Sequence, residues 1–165
     1  MFRRKTVLLL LAIVMILDII IEYNRLKNEK FNQQILKIFR SVYRDEEVNK
    51  VSTLIFTLSG LFFTILFFKQ EIAILSILFL TFGDGFAALV GEKYGRHKIF
   101  KQKSLEGTIT NLLTCLIVGF IFSVFFRITP LQIILGSITA TVIEILPVKD
   151  NFLIPIASAS VMLHG

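Results

Sequence analysis

With one cysteine, Cys115, the chain can form no intrachain disulfide and carries no signal of an oxidising compartment. His97 and His164 have no cysteine or histidine partner at metal-ligand spacing, which argues against a zinc site. No G-x-x-x-x-G-K-[ST] phosphate loop is present. Gly83-x-Gly85-x-x-Ala88 matches a dinucleotide fingerprint only as a string, because it lies inside an apolar run and not between a strand and a helix. A small-residue cleavage pattern does not follow the basic start and the apolar run at 6–21, so these residues are expected to form a retained first membrane helix. No repeat between the two halves supports an inverted-repeat transporter. At 165 residues there is room for one compact bundle and not for a separate soluble catalytic domain. Any site must then be built from helix ends and loops.

What the chain does have is apolar length. Hydrophobic residues make up 55%, 17 residues are Phe and the mean hydropathy is +0.76, which places the chain in a bilayer. The expected fold is all-α: a polytopic transmembrane bundle forming one membrane-embedded domain. Five full spans are expected at about 6–22, 51–68, 72–92, 107–126 and 131–148. A sixth segment, 152–163, is too short to cross upright and reads as a re-entrant or tilted half-helix. An amphipathic helix is expected at about 25–43, with Phe31, Ile35, Ile38, Phe39 and Val42 on one side and Lys30, Lys37, Arg40 and Arg44 opposite, suited to the membrane interface.

The formal charge of +6 raises nucleic acid as a partner, but the cations fall in loops flanking apolar spans, where orientation and anionic headgroups account for them. Loops 23–50, 93–106 and 148–151 hold 13 of the 18 Lys and Arg residues. The positive-inside rule therefore puts those loops in the cytoplasm, with the cell membrane as the expected location and any site facing inward.

Against this background the stretch 83–107 stands out. Asp84 sits in an apolar run nine residues before Lys93, about 13 Å along a helix, and an acid at that depth points to function. The basic loop behind it carries Lys93, Arg96, Lys98, Lys101 and Lys103, then Glu106. Gly83, Ala87, Gly91 and Gly95 recur every four residues, as in close membrane-helix contacts. Gly83 and Gly85 also mark a place where the helix can loosen around a polar cavity. Asp18 and Glu22 share a helix face near the end of the first span, as a solvated helix end or as part of a site.

The ordered set of Gly83-Asp84-Gly85 with Ala88, Gly91 and Gly95, then Lys103-Ser104-Leu105-Glu106-Gly107, then Glu144, Asp150-Asn151 and Pro155, resembles the CTP-dependent lipid kinases. That family includes dolichol kinase, phytol kinase and the yeast-type diacylglycerol kinase. The likeness runs from about Arg44 to the C-terminus, and the Arg44 to Glu47 segment is similar to the family's Arg-x-x-Glu region. It implies phosphoryl transfer from CTP to the hydroxyl of a membrane lipid alcohol, with Mg²⁺ or another divalent cation around the phosphates.

On that basis Asp84, Asp150 and Asn151 are the metal candidates, and Asp84, Glu144 and Glu47 the candidates for the general base. Lys93, Lys103, Ser104, Glu106, Gly107 and Arg44 would contact the nucleotide, helped by the helix start near Glu106. Gly83, Gly85, Gly91 and Gly95 would permit close helix approach. The related phosphatidate cytidylyltransferases are the alternative enzyme class; a small transporter or membrane scaffold is the non-enzyme alternative. Neither oligomeric state nor the acceptor's identity is encoded legibly.

Overall fold

The computed structural model describes residues 4–39, 48–100 and 103–163. Among them the chain forms α1 (Arg4–Lys27), α2 (Glu29–Ile38), α3 (Thr53–Phe67), α4 (Gln70–Leu78), α5 (Gly85–Tyr94), a short hairpin of β1 (Lys98–Phe100) and β2 (Lys103–Ser104), then α6 (Leu105–Ser123), α7 (Pro130–Ile145) and α8 (Asp150–Met162). The fold is all-α apart from that hairpin.

Sequence chemistry explains the helix limits. Asn28 stops α1 and caps α2, its side chain accepting from the N–H groups of Lys30 and Phe31. Ser52 caps α3. Thr129 and Gln132 form a reciprocal capping box at the start of α7, with Pro130 in the first turn where its missing N–H costs nothing. At the other end Leu146 is extended, because the residue before a proline, here Pro147, is pushed out of the helical region.

Among the described residues three helices are long and apolar enough to cross a membrane: α1, the continuous Gln70–Tyr94 helix of 25 residues, and α6. Helices α3 and α7 are apolar but have only 15 and 16 residues, and α8 has 13. The capping residues and Pro147 trim the two middle helices below the lengths their apolar runs suggest. The amphipathic helix is likewise shorter than the expected 25–43: α1 continues through Lys27, and α2 occupies Glu29–Ile38, with Asn32 buried and Lys37 and Ile38 exposed.

Helices α4 and α5 join without a break. A π-helical turn at Phe79–Asp84 carries the chain through the glycines, so Gly83 and Gly85 widen the helix locally instead of interrupting it. Such turns often mark functional positions. The core lies between this helix and α6, α7 and α8, where Leu75, Phe79, Cys115, Ile133, Ile154 and Met162 are fully buried. Helix α1 packs on the outside against α3 and antiparallel to it. The Arg4 guanidinium donates to the carbonyls of Ile65 (2.8 Å) and Leu66 (2.6 Å), while Ser52 N–H at the opposite end donates to Glu22 Oε1 (2.7 Å). Its remaining apolar side chains, Leu9 to Ile21, are largely exposed, as a lipid-facing helix requires.

Candidate active site

The hairpin turns Lys103 back over the ends of α7 and α8 and over the π-helical turn. Its ammonium lies 2.7 Å from Glu144 Oε1 in the last turn of α7, 3.3 Å from Asp84 Oδ1 at the end of the π-turn, and 3.3 Å from Asp150 Oδ2 at the start of α8. Asp84 is far in sequence from Glu144 and Asp150, and the bundle brings it to them. Glu144 is almost completely buried, and its other oxygen lies 3.5 Å from Thr108 Oγ1. Burial would lower the pKa of Lys103, but the hydrogen bond to Glu144 and the charges of Asp84, Glu144 and Asp150 together raise it above its ordinary value. With all three acids ionised, one ammonium leaves two negative charges unbalanced.

The loop that carries Lys103 is fixed from both sides. Ser104 is buried and caps α6, its Oγ accepting from Gly107 N–H at 3.2 Å, and Leu105 N–H donates to His97 O at 2.8 Å. Those two amides are therefore partnered within the chain, and Ser104 acts here as a helix cap. Glu106 turns outward and holds the loop: its carboxylate is 2.8 Å from His97 Nδ1 and accepts from His97 N–H at 3.3 Å. Lys93 lies over the Tyr94 ring, 5.3 Å from its centroid, apart from the groups that converge on Lys103. Asn151 adjoins the cluster, its N–H donating to Asp150 Oδ1 at 2.9 Å. Arg44 and Glu47 lie outside the described residues.

Glycines set the helix spacing at this end. A Cβ on Gly107 would come within 2.9 Å of Ala87 O and 3.2 Å of Ser104 Oγ, and one on Gly91 within 3.1 Å of Ser104 Oγ, so α5, α6 and the cap meet backbone to backbone. On Gly95 a Cβ would strike Gly91 O and Ser104. On Gly83 it would lie 2.6 Å from Cys115 Sγ and 3.3 Å from Asn111 Nδ2. Gly85 differs from the expected close-packing role: a Cβ there meets nothing within 4 Å, and the residue is exposed. The contacts are made by Gly83, Gly91, Gly95 and Gly107.

Two features escape a reading of the sequence. Glu22 belongs to a buried clamp: Arg25 donates to both Glu22 oxygens (2.9 and 2.5 Å), to Asn32 Oδ1, and to the carbonyls of Val48 and Lys50. This ties α1, α2 and the start of α3 together, while Asp18 is buried one turn away on the same face. The other is the polar lining of α6 and α7 by Thr108, Asn111, Ser137 and Thr141, all buried. Its signal was present, since Asn111 is a polar amide within an apolar run.

Among the described residues no three His, Cys, Asp or Glu side chains are gathered closely enough to hold a metal by themselves. The donor set is hard carboxylate oxygen. That suits Mg²⁺ bound through one or two carboxylates plus phosphate oxygens, and not an all-protein cage.

Neither a protein-family model nor a solved structure matches the chain. Curated proteins do. The chain is 28% identical over 149 residues to CTP-dependent diacylglycerol kinase 1 of Schizosaccharomyces pombe, covering 80% of this chain and 68% of that protein. It is 28% identical over 124 residues to the Saccharomyces cerevisiae protein of the same name, covering 74% and 43%. With the phytol kinase of a Synechocystis species it shares 34% over 102 residues, covering 56% and 44%. The chain is thus similar to CTP-dependent diacylglycerol kinases and to phytol kinases. It spans 68% of the length of one such kinase and 43–54% of two others. These kinases differ among themselves in the alcohol they are named for.

Proposed function

We propose that this chain is an integral membrane kinase that transfers the γ-phosphate of CTP to the hydroxyl of a lipid alcohol: a diacylglycerol, a phytol-like isoprenoid or a polyprenol such as dolichol. The observation that carries this reading is the meeting of Lys103 with Asp84 of the π-turn and with Glu144 and Asp150 at the facing ends of α7 and α8, in a chain similar to CTP-dependent diacylglycerol kinases and phytol kinases. Phosphoryl transfer demands positioning and charge neutralisation more than covalent participation by the protein. In this reading the alcohol oxygen bonds to the γ-phosphorus, the bond to the β–γ bridging oxygen breaks, CDP leaves, and the alcohol proton passes to a carboxylate.

Glu144 or Asp84 takes that proton, since one base in hydrogen-bond reach suffices. Lys103 holds the acids in register and meets the incoming phosphate, while Lys93, Arg96 and Lys98 on the rim attract the polyanion. Asp84 and Asp150, with Asn151, are the groups to hold Mg²⁺, which would supply charge neutralisation on the phosphate oxygens. Helices α3 and α7 also cross the bilayer in this arrangement, giving five spans with α8 as a half-helix. The site faces the cytoplasm of a cell whose membrane holds the chain.

The test is purified protein in lipid, with CTP labelled at the γ-phosphate and a panel of diacylglycerol, phytol, polyprenol and phosphatidate. Label is expected on an alcohol. Pyrophosphate release with a CMP-lipid formed from phosphatidate would overturn the kinase reading in favour of a cytidylyltransferase.

A further inference from the structure

Below the acid cluster a column of polar groups continues into the apolar bundle. On α6, Thr108, Asn111 and Cys115 follow at intervals of three and four residues, and on α7 Glu144, Thr141 and Ser137 do the same, so each set lies on one helix face. The two faces meet. Thr108 Oγ1 is 3.5 Å from Glu144 Oε2; one turn deeper, Thr141 Oγ1 is 3.0 Å from Asn111 Oδ1; and Cys115 Sγ lies 3.5 Å from that same oxygen. Gly83, beside Asp84, closes the third side, with its Cα hydrogen facing the Asn111 carboxamide and the Cys115 sulfur.

Asn111 and Ser137 are both fully buried, and among the described residues Asn111 Nδ2 and Ser137 Oγ have no hydrogen-bond partner. Turning the carboxamide over does not pair both of its ends. Thr141 has one hydroxyl proton and is also 2.8 Å from Ser137 O, so in either setting one end of the Asn111 amide is left without a partner. A buried polar group in that condition is costly, and two of them near an acid cluster require an explanation. A group that both donates and accepts would satisfy either setting, and a hydroxyl does so.

We propose that Asn111 binds a hydroxyl group on the bundle-interior side of the acid cluster, supplied by the lipid alcohol or by an internal water. The lipid source rests on the kinase reading. A triphosphate would approach Lys103 from the loops, whereas an alcohol whose tail lies among the helices must come from the interior, and there Asn111 is met before Glu144. The water source needs two or more polar partners, which the column provides, and room for one molecule beside the Asn111 amide.

The test uses the full chain in lipid nanodiscs with asparagine amides labelled with ¹⁵N. The Asn111 side-chain signal is assigned by its loss in Asn111→Leu, or in Asn111→Ser if leucine is not accommodated. If the lipid is the source, diacylglycerol or phytol shifts the signal and the methyl ether of the same tail does not. The KM for the alcohol then rises at least tenfold in the variant while the KM for CTP stays within twofold. If water is the source, the wild-type signal shows magnetisation transfer from water before any alcohol is added, and the alcohol KM is unchanged. An amide with neither water contact nor an alcohol shift, together with wild-type kinetics in Asn111→Leu, overturns the proposal. Water contact in a protein that phosphorylates no alcohol would sink the kinase reading and leave this inference standing.

Discussion

Lys103 stands where two opposing effects are decided by geometry. Burial disfavours its charge, yet three carboxylates lie within 3.3 Å and outweigh that penalty. Removing the ammonium leaves the acids to repel one another, and removing Asp84 deletes the acid that the π-turn presents. Lys103→Ala and Asp84→Asn are each expected to lower turnover by about 10²-fold or more, with membrane insertion and helical circular dichroism unchanged; wild-type rates in either variant would refute the assignment. The pKa direction sets the pH dependence. Because the folded value is raised, the stabilisation from charged Lys103 is fully present below its unfolded pKa, about 10.4, and is lost as pH rises through the folded value. Thermal unfolding of wild type and Lys103→Met should therefore differ by a constant amount from pH 7 to 9, and the difference should shrink only above about pH 10.4.

At the scale of elements, the Arg25–Glu22 clamp is the part of the structure most exposed to a single change. Arg25 is fully buried and Glu22 nearly so, and between them they join α1, α2 and the segment before α3. Breaking a buried pair by deleting one partner costs about 3–5 kcal/mol, so Glu22→Ala should sharply lower the denaturation midpoint. The site acids lie elsewhere, and turnover measured well below that midpoint should be retained. The sequence offered no means of finding this clamp. Asp18 and Glu22 are legible as a pair on one helix face, but the partner that matters is a cation three residues on, and its backbone acceptors lie beyond Asn32. Asp84, Lys103 and Glu144 were legible because an acid in an apolar run and an ordered motif carry their own signal. Ser104 and Gly85 were not, since capping and the direction a residue faces depend on backbone geometry. The trimming of α3 and α7 similarly follows from Ser52, Thr129 and Pro147, residues that matter only once helix ends are placed.

For the whole molecule the fold constrains direction across the membrane. The ends of α1 and α3 are paired by Arg4 with Ile65 and Leu66 on one side and by Glu22 with Ser52 on the other. Lys103, Glu144 and Asp150 share one end of the bundle. On the positive-inside rule the loop containing Lys98 is expected in the cytoplasm and Arg127, at the turn between α6 and α7, outside. Helix α6 runs between those two positions and is long and apolar enough to cross. Lys98 and Arg127 are both exposed, whereas Cys115, the native thiol, is completely buried and so gives little background labelling. A membrane-impermeant maleimide added to intact cells should label Arg127→Cys and spare Lys98→Cys; in inside-out vesicles the pattern should invert. Labelling of Lys98→Cys from outside would place the acid cluster away from cytoplasmic CTP and remove the donor from the proposed reaction, whereas the expected pattern puts the triphosphate and the rim cations Lys93, Arg96 and Lys98 in the same compartment.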